Sequence, residues 1–259
     1  MKDITRLTVD LAKTIFQVAG FKAHGKTAFN RQIKRRDLGE FMANQPACEV
    51  VMEACYSSHY WGRTCESMKH TVHLIPAQHV TPFVRGNKND RNDTVAIYEA
   101  SFRPHIRFVP IKTEAQQETL LLHRLRERLL STRTAATNQL RGLLADFGII
   151  FPLGKASFIE KMNTLSVDST LPARLTWLVN DIFEEYKTLT LRIKTIEKTL
   201  KTDVEANALG QILLSIPGIG YLNASAFVAS IGSGQAFASA KEFGGIMHSL
   251  PIFVTKLSF

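Results

Sequence analysis

ITRLTVDLAKTIFQVAGFKAHGKTAFNRQI, residues 4–33, reads as three consecutive strands, and the remaining fold is built outward from them. Apolar and β-branched residues dominate 4–10, 14–20 and 26–33, and His24-Gly25 supplies the turn between the last two. Three antiparallel strands therefore open the chain, the first ending in Asp10. A polar helical stretch follows at 37–44, then a short apolar strand, 48–52 (CEVVM), that delivers Glu53 at its end. Residues 57–68 read as helix, 71–75 (TVHLI) as strand, and 87–101 as a helix with apolar Val95, Ile97 and Ala100. Strands joined through helices predict an α/β layer with a mixed sheet.

From about residue 114 the period becomes helical. Leu121, Leu125 and Leu129 share one side, with Arg124, Arg126, Arg128, Arg133 and Arg141 spread around it. Further on, Ile182, Tyr186, Leu189, Ile193, Ile196 and Leu200 step by four, three, four, three and four residues, the heptad seam of a coiled coil. Between these helices, 148–172 is punctuated by Gly148, Pro152, Gly154 and Pro172 and reads as the connecting region of a helical hairpin. After the arm, SIPGIGYLNASAFVASIG (215–232) places Gly218 and Gly220 in a tight turn between short apolar helices, a helix-hairpin-helix pattern.

Thirty-two Lys and Arg against 23 Asp and Glu leave a net charge of +9, which suits a polyanionic partner because neutralising phosphates releases counterions. No uninterrupted apolar run reaches membrane-spanning length and the N-terminus is charged, so a cytoplasmic protein with no membrane partner is expected. Cys48, Cys55 and Cys65 are an odd number at no disulfide-like spacing and read as buried free thiols of a reducing compartment; a zinc set of Cys55, His59, Cys65 and His70 lacks a short Cys-x-x-Cys pair. No phosphate-binding Gly-x-x-x-x-Gly-Lys loop, Gly-x-Ser-x-Gly elbow or His-Glu-x-x-His pattern occurs, which removes the usual support for ATPase, serine hydrolase and zinc protease readings.

One constellation carries chemistry. Asp10 and Glu53 each close a strand, and Asp90 and Asp93 are three apart and so share a helix face. Four converging carboxylates are what two-metal phosphodiester chemistry needs, since hard oxygen ligands hold two Mg2+ ions about 3.5–4 Å apart. Taken singly, each of the four also reads as a solvated charge or a cap. Arg85, Lys88 and Arg91 crowd the same helix and could hold a phosphate backbone or simply balance charge. The Gly218 and Gly220 turn could present backbone N–H groups to a phosphate, or be an ordinary tight turn.

These stretches resemble the insertion-sequence transposases of the one-ten family. The resemblance runs through VDLAKTIFQVAG (9–20), VVMEACYSSHYWGRTCE (50–66), HTVHLIPAQHVTPFVRGNKNDRNDTVAIYEA (70–100), RFVPIKTEAQQ (107–117), LHRLRERLL (122–130), NQLRGLLADFGI (138–149) and SIPGIG (215–220). It implies an RNase H-like (RuvC-like) α/β domain over 1–110, a helical coiled-coil arm over 111–206 and a partial α-helical transposase domain over 207–259. Asp10, Glu53, Asp90 and Asp93 match the family's Asp-Glu-Asp-Asp ligands for Mg2+. The resemblance further implies insertion-sequence DNA and target DNA as partners, a structured guide RNA, and a homodimer or tetramer formed through the arm.

The pattern departs at the end. Family members continue from a segment like KEFGGIMHSLP (241–251) into a serine-containing motif that supplies the DNA nucleophile, whereas IFVTKLSF (252–259) does not match it. Neither Ser249 nor Ser258 has the expected neighbours. The expectation is a frameshifted or shortened product with impaired strand transfer, and with apolar faces uncovered around Ile212–Ile231. A catalytically inactive nucleic-acid-binding remnant and a stand-alone junction-resolving nuclease are the alternative readings.

Overall fold

The computed structural model describes residues 4–84, 90–152, 154–168 and 171–232. The chain divides into two compact units, Met1–Thr113 and Glu114–Phe259.

In the first unit, β1 (Ile4–Asp10), β2 (Ile15–Lys22) and β3 (Thr27–Lys34) form the expected antiparallel set, β1 pairing β2 and β2 pairing β3. The β2–β3 turn closes with the Gly25 N–H donating to the Lys22 carbonyl at 2.9 Å, and Gly25 takes φ 77°, where a side chain would be strained. Then come α1 (Leu38–Ala43), β4 (Glu49–Ala54), α2 (Ser58–Ser67), β5 (Thr71–Pro76), α3 (Ala77–Val80) and α4 (Asp90–Ala100). The sheet order is β3-β2-β1-β4-β5, with β4 parallel to both β1 and β5. The result is a mixed five-stranded sheet with flanking helices.

Strand alternation explains how both sheet faces are covered. Leu7, Val9, Phe16, Val18, Val50, Met52 and Leu74 point to one side and pack with Leu38 and Met42 of α1 and Trp61 and Cys65 of α2. Val51 and Ile75 point to the other and pack with Ala96, Ile97 and Ala100 of α4. Each such fully buried aliphatic or aromatic side chain contributes roughly 1.5–3 kcal/mol, so the sheet is held from both sides.

The second unit is helical: α5 (Glu114–Ala145), α6 (Lys155–Ser166), α7 (Ala173–Glu205), α8 (Ala208–Leu214) and α9 (Tyr221–Ile231). Helices α5 and α7 run antiparallel, with Arg126 bound to Glu197 (Nη2–Oε1 2.7 Å) and Arg133 to Thr190 (3.3 Å). Along the seam read from sequence, Ile182, Tyr186, Leu189, Ile193, Ile196 and Leu200 are all buried. Its partner lies in the same chain, since Leu129, Leu122 and Leu125 of α5 and Leu222 of α9 cover the C-terminal half.

Two expectations need correction. The stretch 148–172 is more than a connection, because α6 lies inside it and buries Phe158, Met162 and Leu165 against Leu175, Val179 and Tyr186 of α7. Those three residues follow helical i, i+4, i+7 spacing, but flanking Gly and Pro masked it. Strand β4 also runs on to Ala54, so Glu53 lies within it, paired with Ile75, rather than just past its end. No described helix is long and apolar enough to cross a membrane.

Candidate active site

The site is built at the sheet edge where β1 and β4 end. These strands are parallel neighbours in the register Thr8↔Val51 and Val9↔Met52, and one more step of that register sets Asp10 beside Glu53. Both belong to the Thr8 and Val51 side of the sheet, the side covered by α4. A Cys55 contact to the Leu11 carbonyl at 3.9 Å draws the chain after each strand together. Burial pushes the Cys55 thiol up to about 11, and the negative charges of Glu53 and Asp10 add to the rise, so the two carboxylates act on one small volume.

Helix α4 brings the other acids. Ala96, Ile97 and Ala100 form its buried stripe, and Asp93, one turn earlier on that stripe, is half-buried with one carboxylate oxygen fully covered. Asp90 opens the helix; its side chain lies outside the described residues. Arg91 is exposed in the first turn, and Arg85 and Lys88 lie outside the described residues.

Polar residues that pattern reading passed over set the position of α4. Gln17 Nε2 donates to Asn30 Oδ1 at 2.6 Å, and Asn30 Nδ2 donates to the Arg91 carbonyl and to Thr94 Oγ1, both at 3.1 Å. Gln17 sits opposite Asp10 in the β1–β2 ladder, so this chain of bonds links the strand bearing Asp10 to the turn bearing Asp93. Phe21 stacks on Tyr98 at 3.8 Å further along α4. The signal was a buried Gln within the otherwise apolar IFQVAGF.

Among the described residues, no three His, Cys, Asp or Glu side chains form a ready metal cluster. The donor chemistry still fits Mg2+: Asp10 and Glu53 offer hard carboxylate oxygens at this edge. His59 and His70 serve the backbone instead, His59 Nδ1 accepting from the Lys112 N–H and His70 Nδ1 from the Cys48 N–H. All three cysteines are free thiols; Cys65 is buried and Cys48 and Cys55 are half-buried.

A transposase family model matches residues 7–149, and the model of the IS116/IS110/IS902 transposase family matches 210–247. A "Probable family 20 transposase" of Pseudomonas aeruginosa is 39% identical over 252 residues, covering 96% of this chain and 75% of that protein. The transposase for insertion sequence element IS1328 of Yersinia enterocolitica is 37% identical, covering 97% and 75%. The transposase for IS1111A of Coxiella burnetii is 37% identical, covering 97% and 70%. The chain belongs to the IS116/IS110/IS902 transposase family.

It is thus a transposase by family, and transposases are enzymes that act on DNA; the Asp-Glu-Asp-Asp family as a whole is generally nuclease-like and metal-dependent. The match at 210–247 takes in the second glycine-bearing segment. There Gly218 lies in the turn between α8 and α9 with φ 90°, and Gly220 precedes α9 at φ −85°. Both have open space where a Cβ would stand. Only Gly218 is needed for its backbone shape. In this transposase Gly218→Ala should therefore cost about 1–2 kcal/mol and Gly220→Ala much less; equal shifts in thermal midpoint would refute the distinction.

Of the arm arginines in this transposase, Arg126 is bound to Glu197, while Arg133 and Arg141 lie over the rings of Tyr186 and Phe158 at 5.8 and 5.3 Å. Arg124 and Arg128 are exposed, one turn apart on α5. The arginines are thus divided between packing and surface.

Proposed function

We propose that this chain is a DNA transposase whose first unit is an RNase H-like (RuvC-like) nuclease domain, with Asp10, Glu53, Asp90 and Asp93 holding Mg2+. The observation that carries this reading is the parallel β1–β4 register. It sets Asp10 and Glu53 side by side at one strand edge, on the sheet face covered by the helix that bears Asp93. When bound, Mg2+ supplies Lewis-acid stabilisation of the attacking and leaving oxygens of a phosphodiester.

The chain's own residues do the positioning. Asp10 and Glu53 are held by strand ladders, and Asp93 by a helix tied down through Gln17, Asn30 and Thr94. Arg85, Lys88 and Arg91 would attract the phosphate backbone to the start of α4. In the remaining chain, the division into a metal-binding domain (1–110), a coiled-coil arm (111–206) and a transposase domain (207–259) is part of the same reading. So is a helix-hairpin-helix around Gly218 and Gly220 that offers N–H groups to DNA, and a guide RNA as partner. A homodimer or tetramer through the arm would use outer residues such as Trp177 and Leu191, because the heptad seam is already buried within the chain.

Metal binding has a direct test. Adding millimolar Mg2+ to the purified chain should raise its thermal midpoint, since a ligand bound to the folded state alone stabilises it by mass action. Asp10→Asn and Glu53→Gln should remove the rise. An equal rise in all three proteins would show that these carboxylates do not hold the ion.

A further inference from the structure

We propose that Tyr56, with Tyr60 and Arg35, forms a stacking platform for an unpaired DNA base beside the carboxylate edge. The inference rests on the reading of that edge as a DNA-cleaving site and adds how the strand is held there. Tyr56 follows Glu53 by three residues and is 77% exposed, the most exposed large aromatic among the described residues. Tyr60, in the first turn of α2, is 52% exposed and stands edge-on to Trp61 at 5.2 Å. Single apolar residues on a surface need no explanation, but two exposed tyrosines flanked by cations do.

The cations come from neighbouring segments. The Arg35 guanidinium lies 5.9 Å from the Tyr56 ring centre and donates from Nη1 to Ser57 Oγ at 3.3 Å. The Arg35 N–H donates to the Thr14 carbonyl at 2.9 Å, which places the exposed loop bearing Lys13, the segment directly after Asp10, against this patch. Arg36 is exposed beside it and bound to Asp37, the acidic group of that turn. Ser57 has φ 67°, a left-handed conformation that a residue with a side chain adopts at a cost and that clusters at functional sites.

This combination matches single-stranded DNA better than a duplex. Every base offers a π-face to a tyrosine once it is unstacked, and nearby Lys and Arg follow the phosphates without reading sequence. In a duplex the bases are already stacked on each other, leaving the rings of Tyr56 and Tyr60 little to cover.

Binding of the full chain to a single-stranded oligodeoxynucleotide carrying 2-aminopurine, in EDTA, tests the platform. Stacking should quench the probe. Tyr56→Ala should weaken binding about tenfold and restore the fluorescence, whereas Tyr56→Phe keeps both. The matching duplex should be little affected by the substitution. Unchanged affinity and quenching in Tyr56→Ala would overturn the proposal. An equal loss on duplex would overturn the stacking role, and tighter binding of the same sequence as RNA would overturn the assignment to DNA. Because EDTA removes any metal, this binding assay reads the platform alone while the Mg2+ melts read the carboxylates, so failure of the metal assignment and failure of the platform give different results.

Discussion

Asp10→Asn should abolish Mg2+-dependent DNA cleavage by this chain while leaving it folded. A ligand that helps stabilise developing charge is worth several kcal/mol, so the expected loss is roughly a thousandfold. The fold should tolerate the change because Asp10 joins the sheet through its backbone, opposite Gln17, and Asn has the same shape. Without Mg2+ the variant should be as stable as the parent or slightly more so. Asp10 and Glu53 both act on Cys55, so removing one charge relieves repulsion at that edge. Cleavage assays in Mg2+ and melting in EDTA separate these effects. Cleavage unchanged in Asp10→Asn would refute the assignment, and a large drop in the EDTA melting point would mean that the residue is structural instead.

The second large effect is a pH dependence centred on His123. This side chain is buried, and its Nε2 lies 2.8 Å from Ser225 Oγ, linking α5 to α9. Ser225 donates to the Leu222 carbonyl at 3.1 Å, so its oxygen accepts from the Nε2–H of a neutral imidazole. Burial, and secondly the positive Arg126, push the His123 pKa down from 6.5 to about 4. In the unfolded chain the imidazole regains an ordinary value and binds a proton that the folded chain refuses. The stabilisation is thus complete above pH 6.5 and is lost as pH falls toward 4, by on the order of 3 kcal/mol. His123→Gln can keep a donor toward Ser225 without titrating. Its stability should fall less than the parent's between pH 7 and 4.5 in urea or thermal melts; parallel curves for the two proteins would sink the idea.

Much of the first unit was legible because strand signals are local. Alternating apolar residues and the His24-Gly25 turn define β1–β3 without reference to distant parts of the chain, and the acids Asp10 and Glu53 stand out at the ends of apolar runs. The Gln17–Asn30–Thr94 chain of bonds was not legible, because a polar residue in a strand names no partner until the sheet and α4 are assembled. Helix α6 was hidden for a similar reason. Its apolar spacing is short and bounded by helix breakers, and it becomes a helix of consequence where Phe158, Met162 and Leu165 meet α7.

The arm shows most clearly where local information stops. Sequence by itself determined that Ile182, Tyr186, Leu189, Ile193, Ile196 and Leu200 must be buried along one face, and it singled out Asp10, Glu53, Asp90 and Asp93 as the candidate acids for the proposed metal site. Periodicity fixes which face of a helix avoids water, but it is blind to what covers that face. Tertiary structure alone decided that the cover is α5, α6 and α9 of the same chain, and that β4 lies parallel to β1 so that Asp10 and Glu53 share an edge. Both decisions depend on contacts between residues dozens of positions apart, which only the packed chain brings within reach.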